Sequence, residues 1–358
     1  MTINTNITGI IKLTSPMHCA DPSPHTIDER GLVTQGTGGN SCTATVQQRI
    51  LSDGVHDRIP YFPANDLRGR LRRKAANIIM DSLSSRSEKI SVELYAALCA
   101  GSYNAKPDTA GLTIEEAIRA SRHVYMGVFG GGARLIRSGY SVQDAIPIIR
   151  ATVKAGMVPS GFGEYSEKEL PRLNGESKGE GWRLLETRKI IRVDDAMRAL
   201  RVSELDVYLE DAAAEVSQYQ QGVLKNRKDR KEQDEVKKED IGNMVTVQSI
   251  IAGTDLYFHL DLSDTLTPAQ VGLVLVSLRD LFNEQALGGW IRAGYGKFAA
   301  KGFTITIDGE RMEIFTGTQG GYQLAEPVGV YIEAMRREVE SLKSADLMEF
   351  FDTRKKAE

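Results

Sequence analysis

Little in this chain can serve as a staple, a membrane anchor or a nucleotide loop. Its 358 residues include three cysteines, Cys19, Cys42 and Cys99, too few and too scattered for a disulfide framework or a zinc knuckle. That fits a reducing compartment. No apolar run reaches membrane-spanning length, and the opening MTINTNITG lacks the basic region and apolar core of a signal peptide. The expectation is a cytoplasmic protein with no membrane partner. A formal charge of −3 argues against coating nucleic acid by overall charge but leaves room for a local basic groove. Neither G-x-x-x-x-G-K-[ST] nor G-x-G-x-x-G occurs, so a nucleotide-hydrolysing reading has little support. His18, His25, His56, His123 and His259 show no metal-ligand spacing. No metal and no cofactor is expected, and no repeat of fixed period is present.

What is there begins with IPYFPANDLRGRLRRK at residues 59–74. A proline-punctuated aromatic run meets a helical pattern, for which Asn65 or Asp66 suits the N-cap. Leu67, Leu71, Ala75 and Ile78 recur at helical spacing as a core-facing stripe. Arg68, Arg70, Arg72, Arg73 and Lys74 crowd the helix start, where the macrodipole favours anions. Such an arrangement calls for a compensating partner, and phosphate is the leading one. A solvated basic face is the plain alternative.

Around this segment the chain alternates between ordered patterns and polar excursions. Residues 7–19 alternate as an opening strand. Residues 20–57, rich in Gly, Pro, Ser and Thr, read as a long loop. Helical patterns follow to about residue 83, at about 89–99, and at 112–123 behind a Thr113…Glu116 capping box. A glycine turn at 130–132 leads to a strand, and a polar insertion covers about 155–185. RKIIRVDD at 188–195 is a strand. Residues 203–240 read as a helix ending in a nearly neutral charged arm. Two strands, an amphipathic helix capped by Thr267, late strands and one helix from 328 close the chain. A small α+β sheet with helices on one face, carrying projecting insertions, satisfies this order.

Two glycine loops complete the inventory. GGWIRAGYGKF at 288–298 sets four glycines among Arg292, Lys297, Trp290 and Tyr295, a mixture of amides, cations and flat rings that suits a single-stranded nucleic acid. FGGGARLIR at 129–137 has the same ingredients, with Arg134 and Arg137 after the glycines.

IKLTSPMHC, IPYFPANDLRGRLRR, VFGGGARLIRSGYSVQDA and GGWIRAGYGKF follow one another in the order of CRISPR-associated RAMP proteins. There an opening strand precedes an IPxSSLRGxLR-like segment, an FG turn with an Asp-Ala strand, and a GGxxxxGYGK loop. The chain resembles the backbone subunit of that superfamily, most of all that of type IV effector complexes. The resemblance implies an RRM-like (ferredoxin-type) palm with an antiparallel sheet and helices, and large inserted finger and thumb segments. Residues 1–150 and 250–320 would form the palm, with an inserted loop at 20–57 and a helical finger region at 75–125. Residues 150–250 would form a thumb-like insertion, and 321–358 a C-terminal helix.

It further implies guide-RNA contacts at Asn65, Arg68, Arg70 and Arg72, at Gly130, Gly131, Gly132, Arg134 and Arg137, at Arg188 and Arg192 in the thumb, and at Arg292, Gly294 and Lys297. The implied partners are the CRISPR guide RNA, a target paired to it, head-to-tail copies of the same chain and other effector subunits. Some relatives cut target RNA with an aspartate in the loop after the first strand. Asp21 and Asp28 lie there, so a metal-dependent endoribonuclease is the alternative to a subunit that is not an enzyme.

Overall fold

The computed structural model describes residues 5–28, 33–37, 40–52, 54–101, 112–131, 134–162, 181–193, 210–218, 221, 242–317 and 321–351. In chain order its main strands are β1 (Thr5–Leu13), β2 (His25–Ile27), β3 (Val33–Gln35), β4 (Asn40–Thr43), β5 (Gln47–Ser52), β6 (Val55–Pro60), β7 (Tyr140–Val142), β8 (Ile146–Pro147), β9 (Leu185–Val193), β10 (Gly242–Ile250), β11 (Asp255–Leu262), β12 (Phe298–Ile307) and β13 (Glu310–Glu313). Its main helices are α1 (Ala64–Ser85), α2 (Val92–Ala100), α3 (Ile114–Arg122), α4 (Met126–Phe129), α5 (Arg150–Lys154), α6 (Pro268–Asn283), α7 (Gly329–Ser341) and α8 (Ser344–Phe351). They fall into two compact units: Met1–Asp21 with Thr45–Glu186 and Ser249–Glu358, and Pro22–Ala44 with Thr187–Gln248.

The larger unit is built on an antiparallel sheet in the order β13-β12-β1-β11-β7, with β8 also on β11. Taken along the chain, β1-α1-β7/β8-β11-α6-β12 is a split βαβ of ferredoxin type. Period-two alternation assigns the two faces. Ile7 and Ile11 of β1, Phe258 and Leu260 of β11, and Phe303 and Ile305 of β12 are buried in the main core with α1 and α6. Phe282 of α6 meets Phe303 edge-on at 4.7 Å between centroids. The buried stripe of α1 runs Leu67, Leu71, Ala75, Ala76, Ile79 and Leu83; Ile79 rather than Ile78 continues it.

The opposite sheet face is treated in two ways. Ile10 and Tyr257 are covered by Ile50 and Ile59 of the β5–β6 hairpin, with Ile146 and Ile149. The remainder carries Asn6, Thr8, Thr304 and Thr306, all partly exposed, beside a hydrogen-bonded row in which Tyr257 Oη and His259 Nδ1 lie 3.0 Å apart and His259 Nε2 and Asp261 Oδ1 2.7 Å apart.

The smaller unit is a five-stranded sheet, β3-β2-β4-β10-β9. Residues 20–57, read as a loop, thus contain three of its strands and most of the separate β5–β6 hairpin, which runs on to Pro60. These strands are short and rich in Thr, Ser and Gln, and β4 pairs with β10, Thr246 opposite Cys42. Local patterning cannot show a partner so distant in sequence. The C-terminal segment, read as one helix, is two: α7 ends at Ser341 with Leu342 as its C-cap, and Ser344 opens α8 with its N–H and hydroxyl donating to Glu88 Oε1 at 2.7 and 2.6 Å. The charged arm at 225–240 lies outside the described residues. Among the described residues no helix is long and apolar enough to cross a membrane.

Candidate nucleic-acid interface

The basic helix starts differently from its sequence pattern. Neither Asn65 nor Asp66 caps it; Pro63 occupies the N-cap and offers no side-chain bond. The free Ala64 N–H donates instead to Asp144 Oδ1 at 2.7 Å. Phe62 and Ala145 exchange backbone hydrogen bonds, both 2.9 Å. The IPYFPAN and SVQDA segments therefore clasp each other, and a carboxylate from 80 residues away satisfies the helix terminus and its dipole.

Most of the crowded cations also find partners within the fold. Arg70 reaches Asp66 at 3.3 Å, Glu284 at 3.9 Å and the Gly288 carbonyl at 3.2 Å. Lys74 pairs with Glu284 at 2.6 Å. Arg72 donates to the carbonyls of Phe129 and Gly130, and its guanidinium lies over the Phe129 ring, 5.7 Å from the centroid. The overload of positive charge is thus offset largely from inside. Arg68 and Arg73 stay exposed, as does Asn65.

The glycine turn after α4 is bound to this network. Gly130 sits at φ 62°, and a Cβ there would lie 2.3 Å from the Ile136 carbonyl oxygen, so glycine alone fits. Gly131 and Ile136 exchange backbone bonds of 3.1 and 2.8 Å; Gly132 lies outside the described residues. Arg134 is buried and pairs with Glu116 at 2.7 Å. Glu116 completes the capping box of α3 with Thr113. The Thr113 backbone N–H and then Arg134 hold that carboxyl down to about 2. Arg134 is therefore engaged with protein, whereas Arg137 is exposed.

Arg68 and Arg137, about seventy positions apart in sequence, line one cleft of about 870 Å³. Neither has a carboxylate partner among the described residues. Arg68 lies over Tyr140, 6.0 Å from the ring centroid. Burial pushes the Tyr140 hydroxyl up, against the pull of Arg68 and Arg72, so it remains a neutral hydrogen-bonding group. Ser138, Ser141, Ser263 and Thr265 add hydroxyls to the lining. Asp261 and Asp264 add carboxylates, Asp261 being bonded to His259. Gly139 makes the cleft floor possible, because a Cβ there would lie 2.4 Å from the Gly127 carbonyl oxygen. Guanidinium groups recognise phosphate, and hydroxyls and carboxylates recognise ribose and base donors. The lining therefore matches a nucleotide chain better than a simple anion.

The loop at 288–297 is a separate feature. It is fixed to the segment after β1 by Gly289 N–H to the His18 carbonyl at 2.8 Å and Gly296 N–H to the Pro16 carbonyl at 2.7 Å. Arg292, Gly294 and Lys297 are exposed at its tip and end. Of its two rings, Tyr295 is buried and offers no face to a base. Nor is the sheet a stacking platform of the RRM kind, since Tyr257 is buried against Phe162 at 4.9 Å.

Arg188 is exposed on β9 of the smaller unit, and Arg192 belongs to the same strand, its side chain outside the described residues. Asp28 is exposed just after β2, and Asp21 is half-buried at the end of the first segment of the larger unit. Among the described residues no group of three His, Cys, Asp or Glu side chains could hold a metal ion. Sequence reasoning missed Tyr140, Ser141, Ser263 and Thr265 as cleft residues, although an S-G-Y-S run directly after Arg137 was a visible signal.

No family model matches the sequence, and no curated protein matches it. Among solved structures, a chain of a type IV-B CRISPR complex is similar in fold, with a TM-score of 0.42 and 16% identity, over 87% of this chain and 95% of that one.

Proposed function

We propose that the chain binds single-stranded RNA through its phosphate backbone, as a head-to-tail backbone subunit on the guide of a CRISPR effector complex. The observation that carries the RNA reading is the cleft lined by both Arg68 and Arg137, neither with a carboxylate partner among the described residues, among hydroxyls and beside Tyr140. The guide, the neighbouring copies and the other effector subunits rest on the order of the four sequence motifs. Cations and hydroxyls hold phosphate and ribose, and the bases stay free to pair with a target, which supplies the specificity. Heterologous contacts between copies give an open filament. On this reading the chain holds RNA and does not cut it.

The test uses purified full-length protein and unstructured RNAs of one composition and increasing length. Affinity should rise with length and be indifferent to sequence, and long RNAs should give filaments by electron microscopy. Length-independent binding would remove the backbone role. Cleavage of a paired target in Mg²⁺, abolished by Asp28→Ala or Asp21→Ala, would establish the endoribonuclease instead.

A further inference from the structure

Asp261 is out of place in a site for phosphate. It lines the cleft with Arg68 and Arg137, yet its ion-pair partner among the described residues is His259 rather than either arginine, at 2.7 Å. A carboxylate standing there repels the phosphates that the arginines attract. Such a group is worth keeping only if it makes a contact of its own with the ligand.

The fold holds this carboxylate in place from behind. Tyr257 is buried against Phe162, with ring centroids 4.9 Å apart, and burial pushes its hydroxyl up to about 12. The hydroxyl keeps its proton and donates it to His259 Nδ1, 3.0 Å away, which leaves the Nε2–H for Asp261 Oδ1. The three residues alternate along β11 on one sheet face, so a buried ring orients a half-exposed acid. The Asp261 side chain is 41% exposed. A carboxylate offers about four acceptor sites, so the bond from His259 leaves capacity for a ligand donor.

Position selects which donor. β7 is the edge strand, and its Ser141 stands directly opposite Asp261. In the next pair, Tyr140 and Leu262 lie in the core with α1, and Arg68 lies over the Tyr140 ring. The cleft therefore turns around the sheet edge, with Arg68 on the helix side and Asp261 with Ser141 on the other. A base donor would tie the site to particular sequences. A 2′-hydroxyl accompanies every phosphate and is both donor and acceptor, which matches a carboxylate opposite a serine.

We propose that Asp261, with Ser141, reads the ribose 2′-hydroxyl of the strand held at the Arg68–Arg137 cleft, so that the site selects RNA over DNA. This rests on the reading of that cleft as a phosphate-chain site. His259 and Tyr257 act through Asp261 as positioning residues.

The experiment measures affinities of the full-length protein for RNA and DNA strands of one sequence. Wild type should prefer RNA by at least about tenfold, the scale of one hydrogen bond to a charged group. Asp261→Ala should lose that preference and bind DNA more tightly than wild type does, because the repulsion goes with the carboxylate. Tyr257→Phe, which removes only the hydroxyl behind His259, should lower the preference part-way, a ratio that lost stability alone would not move. Arg68→Ala with Arg137→Ala should lose affinity for RNA and DNA alike. If wild type does not discriminate, or Asp261→Ala keeps the wild-type ratio, while the double variant loses binding, the ribose reading is wrong and the cleft stands. If the double variant binds like wild type, the cleft reading falls and takes the ribose reading with it. If affinity instead follows base composition across homopolymer RNAs and Asp261→Ala removes that dependence, the carboxylate reads bases and the proposal is overturned.

Discussion

Arg68 and Arg72 lie one turn apart on α1, in a segment that reads as uniformly basic, yet their surroundings divide them. Arg72 is held by the carbonyls of Phe129 and Gly130, by the Phe129 ring and by a close approach to Gly101, where a Cβ would come within 2.8 Å of the guanidinium. Arg68 lies exposed in the cleft against Tyr140, with Arg137 in the same lining. The same contrast separates Arg134, tied to Glu116, from Arg137 three residues on. One arginine of each pair builds the support, and the other is presented. A binding surface of flexible cations gains order from arginines fixed in the layer behind it.

The largest expected effect lies on the committed side. Arg72→Ala removes two charge-assisted hydrogen bonds to carbonyls of buried residues, and should destabilise the fold by about 4 kcal/mol. Arg68→Ala should change stability by less than about 0.5 kcal/mol, as exposed substitutions usually do. Urea denaturation of the two variants side by side checks this, and equal losses would erase the distinction.

Next in size is a pH effect in the same support. His123 Nδ1 accepts from the N–H groups of Tyr125 and Met126 at the start of α4, and its ring packs edge-on against Phe350 at 5.3 Å. Burial pushes the imidazole from 6.5 down to about 4. The folded protein keeps His123 neutral where the unfolded chain already binds a proton, so acid favours unfolding. Stability from this group is full above about 6.5 and is lost as pH falls toward about 4, by about 3 kcal/mol in all. His123→Gln should flatten that part of the stability profile measured by denaturation between pH 4 and 7. A profile as steep as wild type would place the acid sensitivity elsewhere.

How far these differences were legible depended on whether the partner was local. The capping box at Thr113 and the cap at Thr267 were read correctly, because donor and acceptor lie three residues apart; that Gln270 completes a box at Thr267 was not read. The order of strands and helices in the larger unit followed from long hydrophobic patterns in β1, α1, β11 and α6, and its ferredoxin type only from the resemblance to RAMP proteins. The cap of α1 was not legible, because Asp144 is 80 residues away. The smaller sheet was missed for the same reason. The fate of each arginine was hidden as well: residue type and spacing are alike for Arg68 and Arg72, and only Gly130, Phe129 and Tyr140 tell them apart.

The most direct test is the salt dependence of RNA affinity for wild type and for the protein carrying Arg68→Ala and Arg137→Ala. Each lost phosphate contact on a single strand lowers the slope of log affinity against log salt by about 0.7. The account predicts a slope shallower by about 1.4, with the melting temperature unchanged. An unchanged slope with intact binding would contradict it, because the two presented arginines would then hold no phosphate.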